Sequence, residues 1–398
     1  MVIPPPNHAA DIRQPLPLAE AASRWSTPLL LLDHHRLEEN LRRMRRRAEN
    51  AGVALRPHLK TAKSAHVARL AVSGLASDGI AVATVREAEY FAAHGFRDLF
   101  WAVTPTRPKL DRVARLIAAG VTVKISLDSL AVARASSDAA RELGVKFPVM
   151  IEVECGDARC GIPPTAPELL ELGHHVAGDP GLHLVGVYTH AGHSYDHICP
   201  EALGVVAREE GQAAVLAAEA LRNAGIRVQE VSVGSTPTVS RGEPVPGVTE
   251  VRAGVYMFSD CFQAGLGSSG YEDIAISVLA TVISNRPDQG HLVVDAGSLA
   301  MSKDRSTERL GGKGDVGFGR VCHHTSQEWI PDLRFTTVNQ EHGIVKASSP
   351  EVLASFPVGS LLRIQPNHAC VTAACFDAYH VVDGHRLVVD VWDRVNGW

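Results

Sequence analysis

Val53-Ala54-Leu55-Arg56-Pro57-His58-Leu59-Lys60-Thr61-Ala62-Lys63 is a short apolar run that ends in an Arg, a His and two Lys. Apolar runs of the same kind recur downstream at 79–83, 99–103, 121–125, 147–153, 182–188, 231–233 and 251–257. Between most of them lie segments rich in Ala, Leu, Arg and Glu with helical spacing, at 65–73, 85–93, 108–119, 129–143, 167–176 and 200–223. Short runs that are apolar throughout fit strands buried on both faces, and their alternation with helices is the mark of a parallel sheet. Counting the run at Val53, the pattern predicts eight strands: an α/β fold of the (β/α)8 TIM-barrel type. An open doubly wound sheet is the alternative, but no Gly-x-Gly-x-x-Gly turn follows an early strand. In a barrel, residues just after strands share one mouth, so Lys60 falls where chemistry is done. A lysine desolvated there loses its proton and becomes a nucleophile toward carbonyls. The competing reading is a basic surface loop.

Working outward, Thr27–Asp33 reads as a buried strand and 16–24 as a short helix. A helix is predicted over 37–50, with Leu37, Leu41, Met44 and Ala48 on one face. Arg42, Arg43, Arg45, Arg46 and Arg47 cover much of the rest, and with Glu38, Glu39 and Glu49 among them they read as a solvated face. After about Gly270 the period changes. Strands are expected at 274–284, 291–295, 335–338, 361–364 and 379–390, with a long loop at 302–319. The barrel is therefore assigned to 34–270, followed by a β-rich domain over 271–398.

Composition excludes some classes of function. The net charge is −5 and aromatic residues make up 5%, which gives no case for nucleic acid or anionic membrane as partner. No apolar run approaches the roughly 20 residues that cross a bilayer. The start, Met1-Val2-Ile3-Pro4-Pro5-Pro6, reads as a Pro-rich arm with no signal-peptide pattern, and the seven cysteines have no framework spacing. A cytoplasmic enzyme with reduced thiols is expected.

Two further motifs point to chemistry. Gly234-Ser235-Thr236 follows the seventh strand, where barrels often bind phosphate. His368-Ala369-Cys370 puts imidazole and thiolate two residues apart, a donor pair suited to zinc. Alone, either motif is commonly a turn or a coincidence.

Arg56-Pro57-His58-Leu59-Lys60-Thr61 resembles the pyridoxal 5'-phosphate (PLP) lysine motif of the D-threonine aldolase and D-serine dehydratase group, which belongs to the alanine-racemase-like, fold type III PLP enzymes. The likeness runs from about Thr27 to the C-terminus. It implies that Lys60 carries the cofactor covalently, with His58 in the same motif. It also implies that residues 1–33 join the β-rich domain, and that Gly234, Ser235 and Thr236 hold the phosphate together with Val255 and Tyr256. Arg159 resembles the arginine that donates to the PLP 3-hydroxyl oxygen, the alternative being a loop arginine paired with Glu154 or Asp157. Tyr188, His190 and His193 form a polar cluster, of which one member would meet the pyridine ring; which one is left open, and His193 reads equally as structural. Pro366-Asn367-His368-Ala369-Cys370-Val371-Thr372 is similar to the metal motif of D-serine dehydratases, with zinc the first choice and manganese or magnesium the alternatives. Asn339-Gln340-Glu341-His342-Gly343 resembles a further active-site loop.

The resemblance thus implies a PLP- and divalent-metal-dependent lyase acting on a small β-hydroxy-D-amino acid, working as a homodimer. Dehydration of D-serine or another D-3-hydroxy amino acid to a 2-oxo acid and ammonia is preferred. Retro-aldol cleavage to glycine and an aldehyde, amino-acid racemisation, and a non-catalytic PLP carrier are the alternatives. Ala62 departs from the group, many of whose members have His two residues after the lysine.

Overall fold

The computed structural model describes Ile12, residues 14–384 and residues 386–398. The Pro-rich arm Met1–Pro6 lies outside the described residues. The chain forms two compact units: Met1–Leu41 with Val255–Arg394, and Arg42–Gly254 with Val395–Trp398.

The second unit is a barrel of eight strands: β1 (Ala54–Pro57), β2 (Ile80–Val82), β3 (Asp98–Trp101), β4 (Thr122–Leu127), β5 (Phe147–Glu152), β6 (Leu182–Tyr188), β7 (Glu230–Val233) and β8 (Glu250–Ala253). All ladders are parallel, in the order β1-β8-β7-β6-β5-β4-β3-β2. The ring is almost closed. At the seam between β1 and β2 it is joined by a parallel bridge from His58 to Ala81 and by the bond from Leu59 N to Ala81 O (2.8 Å). The lysine stretch is therefore pinned at the seam.

The interior of the barrel is layered. Ala81, Phe100, Met150, Val185 and Tyr188 form an apolar layer. The sequence runs did not disclose the charges around it. Arg56 donates to Glu250 Oε2 (2.8 Å) and Asp98 Oδ2 (3.0 Å), and Lys124 donates to Glu230 Oε1 (2.6 Å). Ser232 Oγ donates to Glu250 Oε1 (2.5 Å), and Arg252 donates to Ser232 Oγ (2.6 Å) and Thr189 O (2.6 Å). Removing one partner from such a buried set costs about 3–5 kcal/mol, because the other charge is left uncompensated. Two glycines make room for close strand approach. A Cβ on Gly186 would strike Glu230 O, and one on Gly234 would strike Arg252 O. Arg47 is not simply solvated: it donates to the carbonyls of Val239 and Gly242 (2.7 Å for the latter), at the C-terminal end of the helix Thr236–Arg241. A cation satisfies the orphan carbonyls of that end.

The first unit is built on a ten-stranded sheet. Leu29–Asp33 lies inside it, antiparallel to Ile276–Arg286 and parallel to Ala378–Asp383. All five residues of this strand are buried. Strands Arg320–His323 and Gly343–Ala347 were not anticipated, and the run 379–390 is a hairpin of two strands, Ala378–Asp383 and Leu387–Asp393. The run 251–257 is not one strand either: β8 stops at Ala253 and Val255–Met257 is a 3-10 turn. At the break, a Cβ on Gly254 would lie 2.8 Å from His58 O. The loop 302–319 is organised by Asn367, whose side chain donates to Asp304 O (2.9 Å) and Gly317 O (2.7 Å) and accepts from Thr307 Oγ1 (2.9 Å).

Candidate active site

Because the barrel strands are parallel, the residues that follow them gather at one end. Lys60 comes two residues after its strand bridge at His58, and is exposed. Lys63, the neighbouring candidate, is committed: its Nζ lies 3.2 Å from Glu87 Oε1, and Glu87 is fully buried. Ala62 is also fully buried, so its side chain faces the protein interior.

His58 and His190 share the field of Lys60. Burial, then Lys60 and Arg252, push the His58 imidazole well below its ordinary range. Burial and Lys60 lower His190 to about 3. His190 Nδ1 lies 2.9 Å from Gly234 O. A carbonyl can only accept, so Nδ1 carries the proton and Nε2 is left as an acceptor. The mouth therefore holds neutral imidazoles over a buried guanidinium, Arg252. Such a positive, partly desolvated setting suits an anionic group and a lysine nucleophile.

The lowered His190 value has a thermodynamic consequence. Below pH 6.5 the unfolded chain takes up a proton that the folded site excludes, so stability falls on acidification from about 6.5 toward 3, and not above. His58 contributes with the same sign. Melting temperature is expected to fall between pH 6.5 and about 5, above the ordinary carboxylate range, and to fall less steeply in His190→Asn. Equal slopes in both proteins would contradict this.

The loop after β7 departs from a simple phosphate cup. Gly234 N donates to Glu210 Oε1 (3.0 Å) and Ser235 N donates to Thr238 Oγ1 (3.0 Å). Ser235 Oγ accepts from Thr238 N (3.3 Å) and lies 2.9 Å from Ser194 Oγ. Gly234 and Ser235 thus serve the geometry of the turn, and Ser235 caps the helix that Thr236 begins.

Tyr188 sits below the mouth. Its hydroxyl donates to Glu152 Oε2 (2.7 Å) and meets Ser126 Oγ (2.5 Å), with Arg252 over its ring (5.0 Å). His193 lies in the 3-10 turn Gly192–Asp196, where a Cβ on Gly156 would come 3.1 Å from the imidazole. Arg159 is exposed, with Nε 3.6 Å from Asp157 Oδ2, and contributes to the field at His190. Val255 and Tyr256 belong to the other compact unit, both buried in the turn Val255–Met257.

In the β-rich unit, His368 precedes the short helix Ala369–Ala373, held by a bond from Ala369 N to Asp260 Oδ2 (2.9 Å). His368 Nδ1 lies 3.4 Å from Asp304 Oδ2, and Asp304 is fixed by Ser306 N (2.9 Å). Burial acts to lower the His368 value, but the Cys370 thiolate and Asp304 outweigh it and raise it to about 11. The two side chains hydrogen-bond to each other. A carboxylate on one ring nitrogen is the usual support for a histidine that ligates through the other. Imidazole, thiolate and this support fit a divalent metal. No cluster of three or more His, Cys, Asp or Glu ligands occurs among the described residues, and the two that would hold the metal are His368 and Cys370. His342 is exposed in the turn between strands Leu333–Val338 and Gly343–Ala347, its carbonyl accepting from Asn339 N (2.8 Å).

The profile of the alanine racemase N-terminal domain matches residues 32–261, and that of a serine dehydratase domain matches 275–382. The chain belongs to the alanine-racemase-like family of PLP enzymes. A D-threo-3-hydroxyaspartate dehydratase from Delftia sp. is 43% identical over 94% of this chain and 98% of its own length. A D-serine dehydratase from Dictyostelium discoideum is 31% identical over 94% of this chain and 97% of its own length. The solved structure of the Delftia dehydratase has a TM-score of 0.90 at 42% identity, covering 96% of this chain and 100% of that chain. Further structures of a dehydratase of that name are of a histidine-to-alanine variant and, two positions on, a cysteine-to-alanine variant in the metal-free form. PLP is the cofactor of this family, and the metal-free variant implies a metal in that relative.

Among the described residues no helix is long and apolar enough to cross a membrane, and none of the seven cysteines is joined in a disulfide. Sequence reasoning missed Glu210, Arg252, Asp304 and Asn367. Only Asn367 carried a signal, since it stands inside the Pro-Asn-His motif.

Proposed function

We propose that this protein is a PLP- and metal-dependent lyase that dehydrates a β-hydroxy-D-amino acid to a 2-oxo acid and ammonia. The observation that carries this reading is an exposed strand-end lysine set among neutral imidazoles in the barrel unit; the β-rich unit, taken by itself, holds a carboxylate-supported His-x-Cys pair. When bound, PLP stabilises negative charge at Cα and a divalent metal acts as a Lewis acid toward the β-hydroxyl.

The chain's own residues do the rest. Lys60 holds the cofactor and takes the α-proton. Arg159 supplies a guanidinium for the cofactor's phenolic oxygen, and Thr236 with the turn at Gly234 and Ser235 receives its phosphate. His190, as the Nδ1–H tautomer, presents Nε2 as an acceptor, so a ring nitrogen bonded to it carries the proton, and a neutral imidazole stabilises that charge less than a carboxylate would. His368 and Cys370 hold the metal, with zinc favoured by the thiolate over manganese or magnesium. His193 in the barrel unit and His342 in the β-rich unit are the remaining acid–base candidates. Cytoplasmic location and a homodimer belong to the same reading; a monomeric mass at micromolar concentration in ultracentrifugation contradicts the latter.

The test is product analysis with D-threo-3-hydroxyaspartate, D-serine and D-threonine. A 2-oxo acid with equimolar ammonia is expected from at least one of the first two. Glycine with an aldehyde would replace dehydration by retro-aldol cleavage, and the antipode would replace both by racemisation.

A further inference from the structure

Glu210 is a fully buried carboxyl in the middle of the helix Pro200–Asn223, where the proposed chemistry gives it no task. A buried carboxyl is costly unless its oxygens are well used. Here one oxygen, Oε1, accepts from Ala191 N (2.8 Å), after β6, and from Gly234 N (3.0 Å), after β7. The side chain also bonds that of Thr238, on the helix that Ser235 caps. The two loops it joins are those that carry His190 and its partner, since Gly234 O receives the Nδ1 proton of His190.

We propose that Glu210 is a positioning residue: by clamping the β6 and β7 loops together it fixes Gly234 O against His190, and so holds His190 as the Nδ1–H tautomer with Nε2 free to accept. The role of that Nε2 in the cofactor site rests on the lyase reading; the clamp itself does not. Reach, not charge, is what the geometry requires, because both backbone donors go to a single oxygen. A Gln at 210 keeps that oxygen in place, whereas an Asp keeps the charge and withdraws the oxygen by one methylene.

The experiment uses the full chain labelled with ¹⁵N-histidine, and compares wild type with Glu210→Gln, Glu210→Asp and Glu210→Ala. The His190 ring signals are assigned by their loss in His190→Asn and read first without cofactor. Wild type and Glu210→Gln are expected to show the single Nδ1–H tautomer; Glu210→Asp and Glu210→Ala are expected to show a mixture. On reconstitution, PLP should dissociate about tenfold more readily from the Asp and Ala variants, and Gln should recover most of the difference. A single tautomer in the folded Asp or Ala variant overturns the proposal, as does a Gln variant that behaves like Asp. If Glu210→Ala does not fold, the contrast between Gln and Asp decides. The tautomer is read without cofactor, so a failure of the lyase reading leaves that arm intact and removes only the meaning of the PLP arm.

Discussion

In Lys60→Ala the visible absorbance of the bound cofactor is expected to disappear and turnover to fall by at least about a thousandfold. Lys60 is the exposed lysine of its stretch, while Lys63 is tied to the buried Glu87. The Lys63 nitrogen is engaged by that buried carboxylate, which holds it away from a carbonyl partner. Borohydride reduction of the holoenzyme followed by peptide mapping should place the label on the peptide containing Lys60. Lys63→Ala is the internal control. It leaves Glu87 buried without its cation, so it should lower the melting temperature while the absorbance remains. A label on Lys63 or Lys303, or full absorbance in Lys60→Ala, sinks the assignment.

The barrel was legible because strands covered on both faces are written as apolar runs throughout, and seven of the eight runs kept close to their expected bounds. The eighth failed at Gly254, where close approach to His58 O ends the strand, a contact across the sheet that no local pattern encodes. The β-rich unit was less legible. Arg320-Val321-Cys322-His323 and Gly343-Ile344-Val345-Lys346-Ala347 are short and of mixed polarity, and gain their strand character from pairing, the first with Leu361–Gln365 and the second with both His291–Val294 and the neighbouring Leu333–Val338. The candidate lysine and the His-x-Cys pair stood out because reactive side chains lie together in sequence. Glu210 did not. In Ala207-Arg208-Glu209-Glu210-Gly211 it looks like part of a solvated face, and only the fold brings Ala191 and Gly234 to it. The same holds for Glu250 and Arg252, charges inside strands whose neighbours across the barrel neutralise or solvate them.

Stripping the metal with a chelator is expected to abolish dehydration while leaving the fold and the cofactor absorbance in place. The segment around His368 is held without metal: Ala369 N bonds Asp260, and Asn367 bonds Asp304 O, Gly317 O and Thr307. Melting temperature should therefore change little, in contrast to a closed four-ligand structural site whose loss unfolds its domain. Two protein ligands hold a metal weakly enough for a chelator to compete. Lewis-acid assistance to a leaving hydroxyl is worth several kcal/mol, so turnover of β-hydroxy substrates should drop at least about a hundredfold and return on adding zinc. Exchange of the α-proton with deuterium oxide depends on Lys60 and the cofactor, and should persist. Cys370→Asp is the sharper variant, since a carboxylate in place of the thiolate moves metal preference from zinc toward manganese or magnesium. The reactivated enzyme should then respond best to one of those ions. Full dehydration in metal-free protein would remove the metal from the reaction, and zinc retained unchanged when His368 and Cys370 are both replaced by Ala would remove these two residues from the metal site.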